Sequence, residues 1–169
     1  MKQFILILTV SISMFSCTNP ADKQKKESLA IAKRYMEAVE TNNIAAMDSL
    51  LADNYVGYGP SVGHSINKKD ALNYWKFNSE TLYDSVIYTQ YQNIAVTLTE
   101  EDAAAGAAGD WVANWAYLTL KYKDGRGPVH VWVNSVYRIE NGKIVHSRTF
   151  YNEADVLFQL GYTLQRGTP

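Results

Sequence analysis

A change of texture at Tyr83 constrains this chain more than any other feature. Ahead of it, apolar residues recur at helical spacing; behind it, β-branched and aromatic residues dominate and the apolar period shortens toward two. From Glu27 to Asn42 the stripe is Ala32, Tyr35, Met36 and Val39, one face of a helix. Asn43 can cap a second, short helix with Ile44, Met47, Leu50 and Leu51 on its inner face and Asp53-Asn54 closing it. Residues 55–66 carry three glycines and a proline, so beyond a brief strand at Tyr55 to Tyr58 they read as loop. Asn67 and Asp70 then start a third helix, whose inner stripe is Leu72, Trp75, Ser79 and Leu82. Four strands follow, at 86–98, 110–122, 129–140 and 143–151, and Glu153 to Leu160 form a last short helix ending at Gly161. Thr99 to Gly109, acidic and then Ala/Gly-rich, reads as a mobile hairpin loop. Asp124-Gly125 and Asn141-Gly142 are the dipeptides that type I′ turns require. Helices first and antiparallel strands after them predict an α+β fold.

At 169 residues the chain has room for one core. A net charge of -1 with 16 basic against 17 acidic residues lacks the surplus that phosphate-backbone binding needs, so no nucleic-acid partner is expected. One cysteine, Cys17, excludes an internal disulfide and a thiolate zinc cage, and three scattered histidines do not replace one. No metal and no cofactor is expected.

The amino terminus reads as an address. Met1-Lys2-Gln3 supplies a positive charge, and Phe4 to Phe15 is an apolar run of about 12 residues, short of the 20 or so that span a bilayer. Residues 1–16 are therefore expected to be a secretory signal. Met14-Phe15-Ser16-Cys17 resembles the lipobox of bacterial lipoproteins, with Met14 and Phe15 where that pattern has leucine and a small residue. The resemblance implies a lipid-acylated Cys17 and a protein exported to the bacterial cell envelope and anchored to a membrane. Residues 17–26, polar and charge-rich, read as a tether, and residues 27–165 as the domain.

The order of elements, the RIENGKIV hairpin (Arg138 to Val145) and the closing FQLGY (Phe158 to Tyr162) resemble the SnoaL-like branch of the nuclear transport factor 2-like superfamily over roughly residues 27–162. That resemblance implies a cone-shaped barrel, a curved, mostly antiparallel sheet wrapped around three N-terminal helices, with a pocket in its mouth. Members include isomerases, dehydratases, cyclases and proteins that only bind.

Turn register assigns the faces. Two-residue loops at both dipeptides place Val112, Asn114, Ala116, Leu118 and Leu120 on one face with Val131, Val133, Ser135, Tyr137, His146, Arg148 and Asn152. A β-bulge in any strand exchanges the faces beyond it. Aliphatic walls with a few polar groups are how small-molecule sites are built, so this face is expected to line the pocket. Its ligand-binding set is Asn114, Ser135, Tyr137, His146, Arg148 and Asn152, with Tyr35, Tyr58 and Trp75 from the covering elements. The resemblance also points the position of Asn152 inward, where the family commonly has an aspartate. An amide takes up no proton near neutral pH. His146 is then the inward imidazole, a general base with Tyr137 polarising a carbonyl if the protein is an enzyme, while Arg148 would hold an anionic ligand group. His64 is expected to be exposed, and His130 and His146 to lie on opposite faces.

The other face holds Trp111, Trp115, Tyr117, Trp132 and Tyr151, too many rings to leave in water, and is expected to form a homodimer interface. Two function classes stand at this point: a lipid-anchored domain binding a partly apolar, possibly anionic small molecule, and an isomerase, dehydratase or cyclase using His146.

Overall fold

A computed structural model describes residues 19–165. Residues 1–16, expected as a signal segment, and Cys17 lie outside the described residues. The elements run α1 (Pro20–Glu40), α2 (Ile44–Leu50), β1 (Leu51–Tyr58), β2 (Ser65–Asn67), α3 (Lys68–Phe77), a π-helical turn (Asn78–Leu82), β3 (Tyr83–Leu98), β4 (Gly109–Tyr122), β5 (Val129–Glu140), β6 (Lys143–Tyr151) and α4 (Glu153–Gln159). Six strands form one curved, unclosed sheet in the order β2-β1-β6-β5-β4-β3, antiparallel except for β1 beside β6. The α+β expectation holds.

The helical stripes hold as well. Ala32, Tyr35, Met36 and Val39 of α1 are buried, as are Met47 and Leu50 of α2. Ala32, Tyr35, Val39, Met47 and Leu50 pack with Val112, Val129, Tyr137, Ile139 and Ile144 of the sheet in a single core. In the third helix the fully buried positions are Ala71 and Asn78, while Leu72, Trp75 and Leu82 are part-buried against that core.

β2 (Ser65–Asn67) and the start of β3 at Tyr83 were not expected, and four larger differences from the sequence reading stand beside them. α1 begins at Pro20, so residues 20–26, expected as part of the tether, are helix. Asn19 accepts from the Ala21 amide at 3.1 Å, Pro20 occupies the first turn where its missing N–H costs nothing, and Asp22 complements the helix dipole. α2 stops at Leu50 and the chain enters β1 directly, because Leu51 and Ala52, 1% and 8% exposed, are drawn into the core as strand residues. Asp124-Gly125 is not a type I′ turn. Only Gly125 has positive φ, the Asp124 carboxylate accepts from the Arg126 amide and pairs with its guanidinium at 2.7 Å, and Pro128 has no N–H to extend the ladder past Leu120–Val129. The β4–β5 register nevertheless falls where expected. Asn141-Gly142 does form the expected turn, with φ of 50° and 74°.

The fourth difference decides the site. β5 and β6 pair Glu140 with Lys143 and Ile139 with Ile144, and then the register slips, so that Arg138 faces His146 and Tyr137 faces Ser147. An extra residue, Val145, is accommodated as a bulge. Beyond it Ser147, Thr149 and Tyr151 take the concave side, and His146, Arg148 and Phe150 the convex side.

Candidate functional site: a tyrosine-walled cavity on the concave face

The concave face of the sheet, α1, α3, α4 and the loop Gly59–His64 line a partly open cavity of about 620 Å³. β1 contributes Tyr55 and Gly57; β3 contributes Tyr83 and Tyr88; β4 contributes Leu118, Leu120 and Tyr122. From β5 come Val131, Val133, Ser135 and Tyr137, and from β6 Ser147, Thr149 and Tyr151. Tyr35 and Trp75 close it from the helices, and Val156, Leu157 and Leu160 of α4 cover the remaining side. Of the expected ligand-binding residues, Tyr35, Tyr58, Trp75, Ser135 and Tyr137 border this cavity.

Its aromatic walls support one another. Tyr35 and Tyr137 meet edge to face at 5.8 Å, and Tyr83 and Tyr122 do so at 5.1 Å. The Tyr55 hydroxyl and Ser147 Oγ share a 2.6 Å hydrogen bond across the β1–β6 pair. Gly57 makes room for this, since a β-carbon there would run into the Tyr55 hydroxyl. Burial, with the neighbouring phenols Tyr55 and Tyr137 adding to it, raises the Tyr35 hydroxyl well above its ordinary pKa. Burial likewise pushes Tyr137 up to about 12, against the opposing effect of Ser135, and Tyr151 to about 12. These phenols are neutral donors and acceptors at physiological pH. Among the described residues no lysine or arginine lines the cavity, and its two other ionisable groups, His64 and Glu153, occupy exposed positions.

α4 is held down at its end. The Gln159 side chain accepts from the His130 amide at 2.8 Å and donates to the His130 carbonyl at 2.7 Å, as a neighbouring strand would. Its Nε2 also donates to Asp155 at 2.8 Å.

Four expected ligand contacts lie elsewhere. His146, displaced by the bulge, packs on the convex side between the rings of Tyr58 at 4.9 Å and Trp111 at 5.6 Å. Its pKa is lowered, first by burial and then by Arg148 and Arg138, so it is neutral there. Arg148 is exposed, its guanidinium over the Tyr58 ring at 5.3 Å. Asn152 caps α4, accepting from the Asp155 amide at 3.2 Å. Asn114 is fully buried beside β3, donating to Asn93 Oδ1 at 2.9 Å, away from the cavity wall. A general base at His146 and an anion clamp at Arg148 therefore lose their geometry. Tyr58 borders the cavity while its ring lies against this convex cluster.

The expected interface residues divide similarly. Trp132 and Trp115 on the convex face are 59% and 42% exposed, and Tyr117 stacks on His130 beside Trp132. Trp111 is part-covered by the β3–β4 loop, donating to Ala107 O at 2.8 Å, and Arg138 ties down the same loop at Gly106 O. Tyr151 is the exception, turned into the cavity by the bulge, with Phe150 convex in its stead.

The cavity residue that the sequence reading missed most completely is Asn78. It is 2% exposed, lines the cavity, and neither its Oδ1 nor its Nδ2 has a hydrogen-bond partner. Leaving such groups unpaired costs roughly 1–3 kcal/mol each. A polar residue at the position one helical turn beyond Trp75 was the available signal.

Comparison with known proteins agrees with this architecture. The SnoaL-like domain family matches residues 32–147. The LEH-like epoxide hydrolase of M. tuberculosis superposes with a TM-score of 0.58 at 17% identity, covering 81% of this chain and 91% of that one. IdmH from Streptomyces antibioticus, assigned as a polyketide cyclase, gives 0.61 at 19% identity over 80% and 99%. A protein of ketosteroid isomerase-like fold from Catenulispora acidiphila, in complex with trimethylamine, gives 0.60 at 18% identity over 79% and 93%. At these identities the likeness is one of fold. No curated protein matches the sequence. The family match over most of the domain, with the curved sheet and the cavity it shelters in keeping with it, makes this chain a member of the SnoaL-like domain family.

Proposed function

We propose that this domain binds an uncharged, largely apolar ring compound in its concave cavity. The observation that carries this reading is the wall itself, a partly open cavity of about 620 Å³ lined mainly by tyrosine, tryptophan and aliphatic side chains, with no lysine or arginine among the described residues to offset an anion. Burying a bare carboxylate there would cost several kcal/mol, whereas a ring recovers about 25 cal/mol for each Å² of apolar surface withdrawn from water. The neutral phenols and the Ser135, Ser147 and Thr149 hydroxyls can orient one or two polar atoms on such a ligand.

A matched pair of ligands tests it. Calorimetry should find 2-acetylnaphthalene bound about tenfold or more tightly than 2-naphthoate, a gap of about 1.4 kcal/mol. Equal affinities, or tighter binding of the acid, contradict the reading.

Two further features belong to the same proposal. The protein is a homodimer through the convex face, where Trp115, Trp132, Phe150, Ile94 and Val96 leave an apolar surface in water. Trp132→Glu should give a monomer by light scattering. Wild-type protein already monomeric at tens of micromolar, roughly the range in which stable dimers persist, rules the interface out. The chain is also membrane-anchored through an acylated Cys17. Residues 20–27 are exposed on all sides of α1, which at 1.5 Å per residue gives a helical spacer of about 12 Å in front of the domain. Labelled fatty acid should be incorporated by the wild type and not by Cys17→Ala, and a soluble, unlabelled wild type refutes the anchor.

A further inference from the structure

We propose that the exposed start of α1 is a basic foot that rests on anionic lipid headgroups. The inference rests on the reading of Cys17 as the membrane anchor and says what the first helix does once the chain is tethered there.

Charge is unevenly placed along this chain. Between Pro20 and Arg34 stand five bases, Lys23, Lys25, Lys26, Lys33 and Arg34, against two acids, Asp22 and Glu27. The whole chain has 17 acids to 16 bases, so everything outside this stretch is net acidic. An anionic surface repels such a domain unless a local patch attracts it.

The helix presents that patch. All five bases are exposed, and at 100° per residue Lys23, Lys26, Lys33 and Arg34 share the side of α1 opposite the buried Ala32, Tyr35 and Val39. Burial begins only at Ser28, so the first two turns project past the core. Lys23 lies 3.8 Å from Glu27 and Lys33 lies 3.7 Å from Glu37, but all four side chains are more than half exposed, and such pairs hold little in water. Among the described residues, Lys25, Lys26 and Arg34 have no carboxylate within salt-bridge distance.

The place of the patch names its partner. Cys17 stands three residues before Pro20, the first residue of α1. At 1.5 Å per residue Lys23, Lys25 and Lys26 follow within about 10 Å of the helix start, roughly one Debye length at physiological ionic strength. A chain acylated at Cys17 therefore holds three lysines within reach of headgroup charge. Residues 20–27, PADKQKKE, include no large apolar side chain, so the contact is electrostatic and stays at the headgroups.

Vesicles of phosphatidylglycerol and phosphatidylcholine in equal parts, set against phosphatidylcholine alone, are the probe. The protein is the unacylated, reduced chain from Cys17 to Pro169, which contains every described residue. In sedimentation at about 50 mM salt it should bind the anionic vesicles tenfold or more tightly than the neutral ones, and about 0.5 M salt should abolish the difference. Each base near the surface strengthens such binding about fivefold, so Lys25→Gln with Lys26→Gln should weaken it tenfold or more. Lys121→Gln with Lys123→Gln, the same change of charge at exposed positions on β4 and just beyond it, should alter it less than threefold. Equal binding to the two vesicles overturns the inference, as does a preference that survives high salt or the loss of Lys25 and Lys26, or one that the Lys121 and Lys123 changes reduce as far. Because this chain bears no lipid, the two readings fail separately. An anionic preference in a protein that takes up no fatty acid refutes the anchor alone, and acylation without that preference refutes the foot alone.

Discussion

Along β5, Val131, Val133, Ser135 and Tyr137 are each 5% or 6% exposed, while Trp132, between the first two, is 59% exposed. The two faces of one strand thus hold side chains of comparable bulk under opposite conditions. On the concave side, tyrosines are enclosed by helices and raised in pKa by burial; on the convex side, tryptophan and phenylalanine meet solvent beside His146 and Arg148. Aromatic content does not distinguish the faces. What does is the helical cover over one of them, and the single residue at Val145 that decides which half of β6 lies beneath it.

The strongest way to break this contrast is to place the same charge on each side in turn. Val131→Glu sets a carboxylate against a wall without a cation and should cost about 3 kcal/mol or more in urea unfolding. Trp132→Glu, next to it in sequence, should leave the stability of the protomer within about 0.5 kcal/mol. Equal costs would mean that the faces are not divided as described.

Removing the bulge sharpens the comparison. Deleting Val145 leaves Ser147, Thr149 and Tyr151 facing inward, so ring-ligand affinity should persist even though the lost residue costs roughly 1–3 kcal/mol. In an unbulged strand the same deletion would reverse every side chain beyond Ile144. Lost ligand binding in a folded deletion variant would therefore contradict the bulge.

Alkaline titration separates the faces by a graded effect. Tyr137 and Tyr151 are raised from 10.0 to about 12, so their contribution to stability is complete below pH 10 and is lost as pH rises through about 12. Tyrosinate absorbance should include a late phase near 12, and Tyr137→Phe should diminish it. A single phase near 10 would place these rings in water.

The smallest effect belongs to His146. Its folded pKa lies below 6.5, so whatever stability it supplies is present above that pH and is lost as pH falls through the folded value. Because the ring is partly exposed, the effect on unfolding is slight, and imidazole NMR shifts are the suitable readout. A midpoint above 6.5 would contradict the partly buried setting of the ring beside Arg148 and Arg138.

Much of this architecture could be read from the chain. The stripe through Ala32, Tyr35, Met36 and Val39, the Asn141-Gly142 turn and the β4–β5 ladder followed from periodicity and turn chemistry, because each has one phase that buries apolar residues. β6 has no such phase. His146, Arg148 and Phe150 alternate with Ser147, Thr149 and Tyr151, and both sets mix polar and aromatic groups. The cost of burying Arg148 was the available argument for the observed phase, and it outweighs the appeal of an inward histidine. The early start of α1 was also legible, in Asn19-Pro20 followed by Asp22, but it was masked by the polarity of a helix that buries nothing until Ser28. At Asn78 the sequence offers only a polar residue one helical turn beyond Trp75, and the lack of partners for its buried amide is a property of the folded chain.

The central claim is that ligand enters the concave face and not the convex one. Intermolecular NOEs from bound 2-acetylnaphthalene to selectively labelled protein test it directly. Contacts to the methyl groups of Val131 and Val133 and to the rings of Tyr35 and Tyr137 are the expected result. Contacts to Trp132, Phe150 and Ile94, with the concave valines silent, would contradict it.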